Sequence, residues 1–246
     1  MEETYLLLDI LLCGGANGDP VAEVLIRVVR AGRCGIAQML IAHGASLRYK
    51  GAAAVKQAVT ARNVRMLNTL SLGKVSRDCA TDVFSEIPQP FTEGQTHDLM
   101  SPLISKGARG VPLDKALVSA VEQKLESVTI LLLDHRASAD YNDAQALQIA
   151  ATAGDLDTVN LVLSKGKPRP QSMRHVLPLV PPGPPRLRSL RYGMIKSIID
   201  AASTAGIPTA LLDVALMEAV DTQSPELDLD LINLVLVAGA DVNCLK

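Results

Sequence analysis

The chain has 246 residues, 24 Lys and Arg against 26 Asp and Glu, 48% hydrophobic residues and six aromatics (four Tyr, two Phe, no Trp). This excludes a disordered or collagen-like chain, and near-zero charge with few aromatic rings disfavours a nucleic-acid binder. The four cysteines (Cys13, Cys34, Cys79, Cys244) form no CxxC pair, so neither a zinc cluster nor a secreted disulfide framework is expected.

The opening MEETYLLLDILLCGG carries acids where a signal peptide needs a basic region, and Asp9 interrupts its apolar run. No other stretch approaches the roughly 18 apolar residues of a membrane span. An intracellular, cytoplasmic protein without membrane contact is the expectation. From there an apolar run, two variable residues and a Gly recur along the chain, in ILLCGGAN, MLIAHGAS, PLISKGAR, LVLSKGKP and LVLVAGAD. The markers are Gly15, Gly44, Gly107, Gly166 and Gly239, with Arg136 in the equivalent place of LLLDHRAS. With the weaker sites Gly73 and Gly206, successive steps are 29, 29, 34, 29, 30, 40 and 33 residues.

In chain order, residues 1–15 read as a half-repeat, followed by seven units near 20–47, 52–76, 79–109, 113–139, 143–167, 170–206 and 209–243. The fifth, DAQALQIAATAGDLDTVNLVLSKG, reads as helix, tight turn at Gly154, helix, with apolar residues at i, i+3 and i+4 spacing. Leu161, Val162 and Leu163 are expected to face neighbouring helices. Gly32 and Gly44 repeat the twelve-residue interval of Gly154 and Gly166, because a short helix ends most readily on a residue in the left-handed region. Pro102 falls inside the second helix of its unit. The sixth unit carries a polyproline-like spacer at Val180–Pro185 between its helices, and the last an enlarged loop at Asp221–Pro225.

Isolated helices below about 12 to 15 residues are marginal in water, so such pairs must bury one another's stripes. The expected fold is all-α: an elongated, right-handed solenoid of short helix pairs, a single array over residues 1–246 with little or no strand. The chain opens on a second helix and stops just past a repeat ending without polar caps, which suggests a fragment of a longer protein.

Gly239-Ala240-Asp241-Val242-Asn243 and Ala150-Ala151 with Gly154 resemble the repeat ending and the first helix and turn of the ankyrin family. The resemblance extends over nearly the whole chain, and RASADYNDAQALQIAATAGDLDTVNLVLSKGKPRPQSM is most similar to divergent ankyrin arrays of large intracellular fungal proteins. The family's T-P-L-H opening is missing; Gln145-Ala146-Leu147-Gln148 stands in its place in the best-matching unit. Tetratricopeptide repeats, which want larger aromatics, and HEAT repeats, with steps of about 40 to 47 residues, are the helical alternatives.

Catalytic motifs are absent. His43, His97, His135 and His175 lie at least 38 residues apart, which excludes HExxH, and there is no G-x-S-x-G or G-x-x-x-x-G-K-[ST] run. Neither enzyme activity, cofactor nor metal is expected; His43 and His135 read as solvated residues at helix C-termini. Charge is segregated. Lys165 to Lys196 holds eight bases and no acid, and Ser197 to Lys246 holds eight acids and one base. Within Arg186–Ala202 the apolar positions Leu187, Leu190, Met194, Ile195, Ile198 and Ile199 form one stripe, so Arg186, Arg188, Arg191 and Lys196 are expected off it. These bases either form cross-repeat ion pairs or bind an acidic protein segment.

The expected function is a non-enzymatic protein-interaction scaffold whose concave face carries Tyr49, Lys50, Arg77, Arg109, Asp140, Tyr141, Asn142, Thr152 and Lys165. The two Tyr are favoured because amphipathic rings concentrate binding energy. The alternative is a structural spacer or sensor array inside a larger receptor or effector.

Overall fold

The computed structural model describes residues 9–90, 92–173, 176, 188–203, 209–220 and 228–245. Among them every regular element is helical and none is a strand. The chain divides into two compact units, residues 1–113 and 114–246.

In the first unit a helical segment at residues 9–13 (α1) precedes α2 (Asp19–Arg30), α3 (Cys34–Ala42), α4 (Tyr49–Thr60), α5 (Val64–Ser71), α6 (Arg77–Phe84) and α7 (Glu93–Ser105). Helices α2, α4 and α6 each pack on their successor in the chain, α4 packs on both α2 and α6, and α3, α5 and α7 pack in their own row. The two rows bury Leu25, Val55, Val59 and Val83 from one side and Leu40, Met66, Leu67, Leu70, Leu99 and Met100 from the other. Between them lie Ala22, Ala37, Ala54, Ala58 and Ala80, all buried; without bulky side chains at these positions the helix axes approach closely. Pro102 sits inside α7 without ending it.

The division between the units falls within α8 (Val111–Glu122). The second unit continues with α9 (Glu126–Asp134), α10 (Tyr141–Thr152), α11 (Leu156–Leu161), a π-helical turn at Val162–Gly166, α12 (Pro170–Met173), α13 (Arg188–Ser203), α14 (Thr209–Val220), α15 (Leu229–Val237) and a 3-10 turn at Val242–Leu245. Here α10 packs on α11 and α12, α11 and α15 pack on α13, and α14 packs on α15. Leu132, Leu147, Val159, Val162, Met194, Ile198, Leu216, Leu231 and Val235 form its interior. The polyproline spacer at 180–185 and the enlarged loop at 221–225 lie outside the described residues.

The connections explain the spacing of the sequence markers. Gly44, Gly107 and Gly239 have φ of 85°, 93° and 110°, and Arg136 adopts the same left-handed region at φ 65°. The turns between paired helices use it too, through Gly32 and Gly154 but also through Arg62 (φ 50°) and Lys124 (φ 56°). Gly73 and Gly166 serve a different need. A Cβ at Gly73 would stand 2.6 Å from Leu47 Cδ1, and one at Gly166 would stand 2.6 Å from Ala139 Cβ. These two glycines permit close approach to the residue three positions past the preceding marker.

Side-chain caps start several second helices: Asn63 accepts from the Met66 N–H (3.0 Å), Asp155 from that of Thr158 (3.0 Å) and Asp228 from that of Leu231 (3.2 Å). The openings of α4 and α10 depart from helical geometry in the same way. Lys50, Gly51 and Ala52 have φ of 48°, 61° and 63°, and Asn142, Asp143 and Ala144 have φ of 48°, 56° and 60°. Each left-handed L-residue costs roughly 1 to 2 kcal/mol, and burial of Ala52 (2% exposed) and Ala144 (0%) anchors both turns.

Two expectations for the second unit need correction. Leu161 is only half-buried, whereas Val162 and Leu163 are buried; the wider π turn that begins at Val162 shifts the register of the stripe. Arg191 is not off the stripe of α13 but buried, at 8% exposure. It stands three, four and seven residues before Met194, Ile195 and Ile198, which places it on the face they bury.

Candidate interaction surface

The turns that follow the repeat endings are tied to the preceding first helix by backbone donors. The Arg109 N–H donates to Thr81 Oγ1 (3.3 Å), Ser138 to Asp114 Oδ1 (2.6 Å), Arg169 to Asp140 Oδ1 (2.6 Å) and Asp241 to Asp213 Oδ1 (2.7 Å). Side chains add a second set of ties over similar separations. Lys50 Nζ pairs with Glu23 (2.8 Å), Lys56 with Glu86 (3.1 Å) and Lys165 with Asp134 (2.5 Å), and Arg62 donates to the carbonyls of Pro88 and Pro90 (3.1 Å each).

These ties decide the part played by several candidate residues. Lys50 pairs with Glu23, and its Nζ lies 5.2 Å from the Tyr49 ring centroid. The Lys50 ammonium holds the Glu23 carboxyl below its ordinary value, and the carboxylate holds Lys50 up. Asp140 accepts from the Arg169 backbone and lies 3.7 Å from that guanidinium; Lys165 pairs with Asp134. Asn142 donates to Gln145, and the Thr152 hydroxyl returns to the Gln148 carbonyl within α10. Part of the basic run is thus engaged within its own fold, and Arg191 is buried. Arg186 lies outside the described residues, and Arg188 opens α13.

Two groupings remain at the surface. In the first unit, the Arg77 side chain lies against Gly107, and Arg109 is bonded through its N–H to Thr81, whose hydroxyl donates to the Arg77 carbonyl; Arg77 and Arg109 are both exposed. The other grouping is a correspondence of position. Tyr49 in the first unit and Tyr141 in the second are each half-buried at the head of a first helix and each precede a left-handed turn.

One convergence has no counterpart in the sequence expectations. Asp9 and Cys13 of α1 meet His43, the residue that ends α3, with His43 Nε2 3.2 Å from Asp9 Oδ1 and Cys13 Sγ 4.0 Å from the same oxygen. The i, i+4 spacing of Asp9 and Cys13 was readable; their approach to His43 was not, because it needs α1 placed beside the end of α3. The remaining described thiols do not join a cluster, and burial pushes the Cys79 thiol up, making it a poor nucleophile. The second unit also holds a cleft of about 1050 Å³, lined by residues of mixed charge that include Glu126, Asp157, Lys167, Arg169 and Asp200.

No described helix is long and apolar enough to cross a membrane. No protein-family model matches the chain, and no curated protein matches it significantly.

Proposed function

We propose that the chain is an ankyrin-like repeat array that serves as an intracellular protein-interaction scaffold. Alternation of helices into two rows, left-handed turns near the sequence markers, and ties between residues 24 to 31 positions apart support a repeat architecture of this kind. The observation that carries the scaffold reading is the equivalence of Tyr49 and Tyr141, two half-buried aromatic rings held at the same place in different repeats of a chain with only four Tyr. Rigid presentation of amphipathic rings is what an interaction surface requires, since little side-chain entropy is then lost on binding. The partner best suited to the exposed Arg77 and Arg109 pair is a protein with an acidic segment.

A spacer function draws on a different observation: Lys50, Asp140 and Lys165 already have partners within the chain. Affinity purification of the chain from cells, wild type beside a Tyr49→Ala/Tyr141→Ala double variant, separates the two. A scaffold loses a defined partner in the double variant while its melting temperature stays within a few degrees of wild type. A spacer retains every partner in both.

A further inference from the structure

We propose that Asp9, Cys13 and His43 form a zinc site that clasps α1 to the end of α3. Asp9 and Cys13 occupy successive turns of one helix face, as i, i+4 ligand pairs do, and His43 approaches that face from the C-terminus of α3. One ligand atom from each lies within 4.8 Å of the other two.

The distances suit an ion. With metal–ligand bonds of about 2.0 Å to nitrogen and oxygen and 2.3 Å to sulfur, tetrahedral geometry sets neighbouring ligand atoms roughly 3.3 to 3.6 Å apart. The His43–Asp9 separation of 3.2 Å already meets this, and the Cys13–Asp9 separation of 4.0 Å needs to close by less than 1 Å. All three residues are exposed, so side-chain rotation can close the gap without repacking the core.

Chemistry selects the metal. One thiolate, one imidazole and one carboxylate are a mixed set of soft, borderline and hard donors, which suits zinc and excludes magnesium and calcium. On binding, zinc replaces the Cys13 thiol proton, which passes to solvent; His43 coordinates as the neutral ring, and water takes the fourth position. The arrangement is not a Cys-His-Asp catalytic triad. A triad places the carboxylate on one ring nitrogen and the nucleophile on the other, whereas here Asp9 meets Nε2 and Cys13 faces Asp9, so both gather on the same side of the ring.

The test is titration of the full chain with zinc chloride under a non-chelating reductant, together with cobalt substitution. One zinc per chain is expected, with affinity falling at least tenfold in each of Asp9→Asn, Cys13→Ser and His43→Gln and unchanged in Cys34→Ser. The cobalt form should show a thiolate-to-metal charge-transfer band that Cys13→Ser abolishes, and zinc should protect Cys13 from alkylation. Circular dichroism of each variant establishes that the fold is retained. Failure of the wild-type chain to take up zinc, or equal uptake by Cys13→Ser and His43→Gln, would overturn the proposal and leave a plain His43–Asp9 ion pair.

Discussion

At Arg62, Lys124 and Arg136 an L-residue with a long side chain holds the left-handed conformation that glycine holds in equivalent turns. Lys124→Gly and Arg136→Gly should therefore each stabilise the chain by about 0.5 to 1 kcal/mol, because the strain of the left-handed backbone exceeds the added entropy of the unfolded glycine. Arg62→Gly should show no such gain, since it removes the guanidinium bonds to the Pro88 and Pro90 carbonyls. Urea melts of the three variants check the ranking. Asp114 offers a test through pH. Burial raises its carboxyl above the ordinary value of 3.8, only partly offset by the bond from the Ser138 N–H. The ionised form is thus disfavoured in the folded chain, a penalty present above the raised pKa and gone once pH falls below the unfolded value. Asp114→Asn keeps an oxygen to accept the Ser138 N–H and loses the charge, so its melting temperature should exceed wild type at pH 7, with the difference vanishing near pH 3. A lower melting temperature at pH 7 would show that the charged bond outweighs desolvation.

At the scale of elements, the turn at Val162–Gly166 separates neighbouring leucines that the apolar run alone treats alike. Leu163, buried, should cost about 2 to 3 kcal/mol when changed to Ala, and half-buried Leu161 about 1 kcal/mol, both by chemical denaturation. Equal losses would mean that the π turn does not set the register. Here the limits of the sequence are physical. The helical character of the chain was legible because apolar stripes and Gly markers report burial and chain reversal, and every regular element among the described residues is a helix. Arg62 and Lys124 went unnoticed because their left-handed backbone leaves no trace in residue type. Gly73 and Gly166 were legible as markers but not in their reason, since close approach to Leu47 and Ala139 exists only after packing. By charge alone Arg191 reads as a surface base, whereas its register with Met194, Ile195 and Ile198 sets it on the buried face. Candidate residues such as Lys50 and Lys165 could be named from sequence, but their partners Glu23 and Asp134 lie 27 and 31 residues away.

For the whole molecule, the proposed repeat array carries a consequence for cooperativity. Helices within each unit meet mainly their neighbours one or two elements away in the chain, so stability should be a sum of local and nearest-neighbour contributions rather than one shared core. Leu67 is a suitable probe, being 1% exposed on α5, which packs on α3, α4 and α7. Leu67→Ala removes a buried side chain at a cost of about 2 to 5 kcal/mol. If stability is local, native-state hydrogen exchange should quicken in α3, α4, α5 and α7 and remain at the wild-type rate in α14 and α15. If residues 1–246 instead unfold as one cooperative body, exchange through global opening would quicken by the same factor in the most protected amides of every helix, because each would report the same lowered free energy. Uniform acceleration would count against the repeat array, whereas a gradient fading with distance along the chain is what nearest-neighbour coupling requires. The same gradient bears on the clasp between α1 and α3: zinc should slow exchange in those two helices and their immediate neighbours, and leave α14 and α15 untouched.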